Sequence, residues 1–231
     1  MDVALSKYDL LMDVARPLPE LSIIIPNLNG AQLLESLFNS FLQHVDLSDL
    51  KSEILIIDHG STDSSAKVCS RYCSALNIVF INRGENYSFS SSCNFGARKA
   101  SYSNLLFLNN DVYFEADSIN KSLEALGAIN AGCVGLKLID SNRNIVHNGV
   151  DFSWNKERAY HMPKNVCEDI RYDSASMVAT GAYLLCRKSD YDAIGGFDES
   201  YFYGLEDVDF CLRVKKFLGK EILLVDDVPA V

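Results

Sequence analysis

Four short apolar runs organise the first half of the chain: Leu21-Ser22-Ile23-Ile24-Ile25, Ile54-Leu55-Ile56-Ile57, Ile78-Val79-Phe80-Ile81 and Leu105-Leu106-Phe107-Leu108. Runs that are continuously apolar, rather than alternating, mark strands buried on both faces, as in a parallel sheet. Between them lie helical segments. From Ala31 to about His44 the apolar residues at 33, 34, 37, 38, 41 and 42 make one helical face. A second helix is expected over about 63–74, capped by Ser61 or Thr62, and a third over about 90–100. Strand–helix alternation of this kind specifies a mostly parallel sheet covered by helices. Right-handed crossovers bring the carboxyl ends of all four strands to one rim, where open α/β sheets bind ligands. Polar residues follow directly there: Pro26-Asn27-Leu28-Asn29-Gly30, Asp58-His59-Gly60 and Asn109-Asn110-Asp111. Oxygen ligands so placed suit a hard cation such as Mg²⁺ or Mn²⁺ and, through it, a phosphate. Asn and Asp also favour turns for purely local reasons.

The second half has shorter strands, at 133–138 and 145–150, and a longer one at 177–185. A polar stretch at 152–173 reads as a loop, and Lys188 to Ile194 as a short helix closed by Gly195-Gly196. The 231 residues suit one α/β domain: a helical lead-in at 1–20 and a domain over 21–231, with halves at 21–115 and 116–231.

Composition narrows the function. With 31 acidic and 21 basic residues, the net charge of −10 argues against nucleic acid or an anionic membrane as a general partner. A bound divalent cation would still let the chain accept a phosphorylated substrate. No apolar run approaches the roughly 20 residues needed to span a bilayer, and the first residues lack a signal-peptide pattern, so the expected compartment is the cytoplasm. The seven cysteines show no zinc-site spacing and read as reduced and mostly buried.

The order of motifs resembles the family 2 glycosyltransferases. It runs through Ile23-Ile24-Ile25-Pro26-Asn27-Leu28-Asn29, Ile57-Asp58-His59-Gly60-Ser61-Thr62-Asp63, and Glu85-Asn86-Tyr87-Ser88-Phe89 with Asn94-Phe95-Gly96. It continues with Leu108-Asn109-Asn110-Asp111, Thr180-Gly181-Ala182, Gly195-Gly196-Phe197-Asp198-Glu199 and Glu206-Asp207-Val208-Asp209. The Glu-Asn-x-x-Phe form is most similar to bacterial transferases that build surface polysaccharides, including rhamnosyltransferases.

The resemblance implies a single-domain A-type glycosyltransferase fold with a Rossmann-like nucleotide-binding half at 21–115 and an acceptor half at 116–231. It implies inverting transfer of a single sugar from a UDP- or dTDP-sugar to a saccharide or lipid-linked acceptor, the latter bringing the protein to the inner face of a membrane. Pro26, Asn27 and Asn29 would lie along the nucleotide, and Asp58 would accept from the pyrimidine N3–H. Asn86, Asn110 and Gly181 would line the donor, Asn109 would contact ribose or a metal-bound water, and Asp111 would hold the metal. Asp207 would be the general base, with Glu206 beside it.

The residues by themselves also allow plainer roles. Asp58 can cap a turn, Asp63 reads as a first-turn helix residue, and Glu206, Asp207 and Asp209 can form a solvated helix start. Asp209 and Arg213, four apart, read as an intrahelical ion pair. His147 reads as a surface histidine. Ser88 and its neighbours suit either a cap or a phosphate contact. The chain departs from the resembled pattern twice: Asn109-Asn110 replace acids, and no histidine follows Asp226-Asp227 before Val231. Those departures keep two rivals open, a binding module without turnover and a piece of a larger transferase. A nucleotidyltransferase would want a basic residue in the loop after the first strand, and there is none.

Overall fold

The computed structural model describes residues 18–153, 158–161, 177–201 and 204–230. In chain order the elements are β1 (Glu20–Asn27), α1 (Ala31–His44), β2 (Lys51–Asp58), α2 (Ser65–Tyr72), β3 (Ile78–Asn82), α3 (Phe89–Lys99), β4 (Asn104–Leu108), α4 (Ser118–Leu126) and β5 (Ala131–Ile139). They continue with β6 (Ile145–His147), β7 (Val150–Ser153), β8 (Arg158–His161), β9 (Met177–Val178), β10 (Tyr183–Arg187), α5 (Lys188–Ala193), α6 (Glu206–Arg213) and β11 (Glu221–Ala230). A π-helical turn at Val214–Leu218 prolongs α6.

The main sheet runs β11-β5-β10-β4-β1-β2-β3, with β6 added beside β5. β1, β2, β3 and β4 are mutually parallel, and so are β5 and β11. The one inserted antiparallel strand is β10, between β4 and β5. The sheet is therefore mostly parallel, as the apolar runs require. Apolar side chains fill both faces. One core joins Leu34, Leu37, Phe38 and Phe41 of α1 to Ile23, Ile25, Leu106 and Leu108. The other joins Cys93 and Ala97 of α3 to Ile24, Leu105, Phe107, Phe197 and Phe210.

Several expectations need correction. Leu33 and Leu42 of α1 are 45% and 47% exposed, so its buried face is narrower than the apolar pattern. The expected strand 177–185 is broken. Met177–Val178 pairs with β7 in a small second sheet, whereas Tyr183–Arg187 enters the main sheet, so residues 179–182 must cross between them. The expected strand 145–150 is likewise split between β6 and β7, and β7 and β8 begin a hairpin inside the expected loop. The lead-in at 1–17 and most of 152–173 lie outside the described residues. α4 and β11 went unread in the sequence. β11 bears the Asp226-Asp227 segment and pairs with β5 through an irregular register.

His147 is buried, not on the surface, because β6 packs it against Leu138. Asp63 precedes α2 rather than opening it. Its carboxylate accepts from Ser65 and from the Ala31 backbone N–H at 2.9 Å, tying the starts of α1 and α2. Five described cysteines are buried thiols and Cys73 is exposed. No helix of the described residues is long and apolar enough to cross a membrane.

Candidate active site

Parallel register sets the rim. Asn27 and Asp58 are Cα partners at the ends of β1 and β2, and β4 lies on the other side of β1. Asn27 is buried and links all three strand ends. Its Nδ2 donates to Asp58 Oδ2 at 2.8 Å, and its Oδ1 accepts from Asn110 Nδ2 at 2.9 Å. Glycine at position 30 lets this happen. A Cβ there would stand 2.4 Å from both Asn110 Nδ2 and Asn27 Oδ1.

Asp58 is fully buried, and its two oxygens accept from Asn27, the Ser61 hydroxyl at 2.6 Å, and the backbone N–H groups of Gly60 and Ser61. A carboxylate with four internal donors and no exposed surface positions the loop. Asn29 is also committed to loop geometry: its Oδ1 accepts from the Thr62 N–H at 2.9 Å and its own N–H donates to Ser61 Oγ at 2.7 Å. Pro26 lies half-buried at the same strand end.

Beyond β3, the Asn86 Oδ1 meets His59 Nδ1 at 2.9 Å, and His59 Nε2 meets Ser92 Oγ at 2.5 Å. With the proton on Nδ1, the ring donates to Asn86 and accepts from the serine. Ser88 caps α3 by accepting from the Ser91 N–H at 3.2 Å, which resolves that segment as a cap. Sequence reasoning missed His59 and offered Ser61 only as a helix cap, because their contacts depend on neighbours brought by other segments; the residue before α2 is Ser64.

Asn109 and Asp111 make no side-chain hydrogen bond among the described residues, and Asp111 is exposed on the rim. Asn109 is fixed through its backbone, its N–H donating to Ala182 O at 3.1 Å. Next to Ala182, the Gly181 N–H donates to Asp207 Oδ2 at 2.7 Å. The strand-end motif and the acidic pair ninety-odd residues later therefore meet through one short segment. Gly181 lies in the turn before β10, not in a strand, where a Cβ would press within 3.3 Å of the Phe89 ring.

Asp207 Oδ1 also accepts from the Val208 N–H at 2.8 Å, so both oxygens are oriented at the start of α6. Each keeps a second lone pair. Glu206 is 8% exposed, and its Oε2 has no hydrogen-bond partner among the described residues. Burial pushes its carboxyl above the ordinary value, and the Asp207 charge adds to this against the opposing backbone N–H groups of Glu206 and Gly204. Leu205, just before, is held at φ 70°, a strained conformation for leucine at a functional site. Arg213 pairs with Asp209 within α6 at 2.7 Å, as the spacing predicts.

The raised Glu206 value fixes a sign. Its native form holds a proton that the unfolded chain releases, so its contribution is complete below the ordinary value of 4.5 and is lost as pH rises through the raised one. Glu206→Gln is expected to flatten the fall in melting temperature as pH rises from about 4.5 through the raised value, and to melt higher than wild type above it. Parallel melting curves for the two proteins across that window would contradict it.

Asn94 and the Gly195–Glu199 turn lock each other. Asn94 Nδ2 donates to Phe197 O and Glu199 Oε1, both at 2.9 Å, and its Oδ1 accepts from the Phe197 N–H and the Tyr191 hydroxyl. This pair of motifs is structural. A cleft of about 680 Å³ beside it contains neither Asp111 nor Asp207.

A family model described as glycosyl transferase family 2 matches residues 22–195, a span that runs from within β1 to the end of α5 and includes the polar segments at the ends of β1, β2 and β4. The chain belongs to glycosyl transferase family 2. This family 2 chain is 24% identical over 207 residues to the O-antigen biosynthesis protein RfbC of Myxococcus xanthus, covering 86% of the chain and 16% of that protein. It is 23% identical over 195 residues to the rhamnosyltransferase WbbL of Escherichia coli K12, covering 78% and 72%. Among solved structures, the mannosyltransferase PcManGT of Pyrobaculum calidifontis, in complex with GDP-Man and Mn²⁺, superposes with a TM-score of 0.69 at 16% identity, covering 94% of this chain and 57% of that one. TarS 1–349 of S. aureus with UDP superposes at 0.66 and 15% identity, covering 91% and 59%. At such identities the superpositions establish the fold, an A-type glycosyltransferase architecture.

Proposed function

We propose that this family 2 chain carries an inverting transferase site that moves one sugar from a UDP- or dTDP-sugar to a saccharide or lipid-linked acceptor in surface-polysaccharide synthesis. The observation that carries the proposal is the pair of contacts joining Asn109 to Ala182 and Gly181 to Asp207. They hold an exposed donor-side carboxylate, Asp111, and an oriented acceptor-side carboxylate, Asp207, on one rim.

The donor lies across the strand ends. From β4 to β3 is three inter-strand spacings, about 14 Å, the reach of an extended nucleoside diphosphate. The diphosphate sits at Asp111 and the base toward β3, with Pro26, Asn27, Asn29 and Asn110 forming or bracing the floor between. The sugar then faces Gly181 and Asp207. In this arrangement Asp207 takes the proton of the acceptor hydroxyl as that oxygen attacks the anomeric carbon from the side opposite the diphosphate. Gly181 contributes by letting the backbone approach closely and by holding the base through its N–H.

The residues fit a divalent cation held jointly with the substrate. No described group of three or more His, Cys, Asp or Glu forms a protein cage. One exposed carboxylate plus substrate phosphates is the usual way Mg²⁺ is bound. Asp111 would hold the Mn²⁺ or Mg²⁺, with Asn109 beside it, and the ion would neutralise charge on the departing diphosphate. The PcManGT complex with GDP-Man and Mn²⁺ supports this reading.

UDP or dTDP with Mn²⁺ is expected to raise the melting temperature, since a ligand at one hundred times its Kd stabilises by about 2.7 kcal/mol. Absence of any shift with pyrimidine nucleotides would remove the donor site. A non-catalytic binding module would give the same shift but no transfer or donor hydrolysis across an acceptor panel.

A further inference from the structure

β5 carries a single charged side chain, Lys137, set between the buried Leu136 and Leu138. Strand alternation sends it to the face of the sheet that α6 covers. Cys133 packs with Phe210 and Cys211 on that face, and a Cβ at Gly135 would meet Ala179 there at 2.7 Å. Lys137 is the next residue in the row. The antiparallel register pairs Gly135 with Leu184, so Lys137, two residues on, comes level with Ala182. That turn holds Asn109 through Ala182 and Asp207 through Gly181. A Cβ at Gly181 would lie 3.6 Å from Asp207 Cβ, which puts the turn and the carboxylate on the same face.

Nothing inside the described protein accounts for a lysine here. The other lysine and arginine of the main sheet are paired, Lys51 with Glu20 and Arg187 with Asp190. Lys137 is half-buried and has no hydrogen-bond or ion-pair partner among the described residues. The β11 register breaks directly after the Leu136–Val225 pair, and Asp226 beyond it closes no ion pair with Lys137. A charge drawn partly out of water without a partner is unfavourable. In a chain of net charge −10, with Asp111 and Asp207 on the same rim, such a cation is set to meet an anion from outside.

Resting on the donor placement above, we propose that Lys137 binds a phosphate group of the acceptor, so that the acceptor is phosphate-linked rather than a free saccharide. The donor runs from β4 toward β3. β5 lies two strands from β4 in the opposite direction, about 10 Å away. The donor diphosphate therefore stands on the far side of the sugar from Lys137, and the acceptor approaches from the Lys137 side. A compact ammonium with three N–H donors suits phosphate as a point charge.

The test loads the protein with UDP and Mg²⁺, so that the donor site is filled, and titrates three octyl-chain probes by calorimetry. One is octyl glucoside, one is octyl glucuronide, and one is glucose joined to the octyl chain through a diphosphate. Wild type is expected to bind the diphosphate probe about tenfold or more tighter than the neutral glucoside. Lys137→Met is expected to lose about tenfold on the diphosphate probe while UDP and the glucoside stay within about twofold. Lys137→Arg keeps the charge and most of the preference. Circular dichroism melts check folding, and Lys137→Met is expected to melt no lower than wild type, because the charge it removes has no partner. Unchanged affinity of a folded Lys137→Met protein for the diphosphate probe would overturn the inference. So would a wild type that shows no preference for that probe, or one that prefers the glucuronide. Loss of UDP affinity in Lys137→Met would move the lysine to the donor and overturn it too. Wild type that binds no UDP would instead remove the donor site on which the inference rests.

Discussion

Asp207→Asn is expected to lower sugar transfer by about three orders of magnitude while leaving UDP affinity within about twofold of wild type. The geometry accounts for both halves. The carboxylate is held by the Gly181 N–H at 2.7 Å and the Val208 N–H at 2.8 Å, one on each oxygen. Two fixed donors orient the carboxylate, so the proposed base would need little reorganisation when an acceptor hydroxyl arrives. An amide at this position is not basic. It also presents an NH₂ to one of the two backbone N–H donors, which loosens the orientation that remains. The proposed donor contacts follow the strand ends and not α6, so nucleotide binding is expected to be spared. Transfer measured with a labelled donor, alongside UDP titration, checks the split. Equal loss of binding and transfer would recast Asp207 as a donor-binding or structural residue.

Gly30→Ala carries the second large effect, through a different mechanism. Gly30 sits at φ −104°, a conformation alanine adopts freely, so backbone strain plays no part. The whole effect is the methyl group, 2.4 Å from Asn110 Nδ2 and equally close to Asn27 Oδ1. The hydrogen bond between those two amides must open. Asn27 is also the donor to Asp58, and it contacts Ser61 and Ser65 at 3.2 Å, so its displacement spreads through the β1–β2 rim. Overpacking plus a disrupted buried polar pair costs about 2–4 kcal/mol. Nucleotide affinity is expected to fall by about tenfold or more, because the loop proposed as the donor floor is displaced. Removing one obstruction, with Asn110→Ala in the Gly30→Ala background, is expected to recover part of the stability. A double-mutant cycle reads that coupling. Additive losses would show that the two positions do not meet.

Much of the fold was legible because the first four strands are unusually apolar. Runs such as Ile23-Ile24-Ile25 and Leu105-Leu106-Phe107-Leu108 have no exposed face to serve, so they specify interior parallel strands by themselves. The third run is the weakest of the four, and β3 is correspondingly the edge strand, with Val79 exposed. What failed was local extrapolation across sheets. Residues 177–185 look like one strand, but apolarity cannot tell that its two ends pair with different partners.

The site divides in the same way. Sequence alone determined the residue types at the rim and their order along the chain. Asn27, Asp58, Asn110 and Asp111 follow strands that must end together, and the acidic pair Glu206-Asp207 opens a helix. Tertiary structure decided what each of these groups has left to offer a ligand. Asp58 spends its hydrogen-bonding capacity on the loop, while the exposed Asp111 carboxylate has no hydrogen-bond donor among the described residues. Asp207 gains its orientation from Gly181, twenty-six residues earlier. A sequence fixes which donors and acceptors exist, but their availability depends on partners supplied by distant segments. Buried polar groups must find such partners on folding, and only the groups left over can bind.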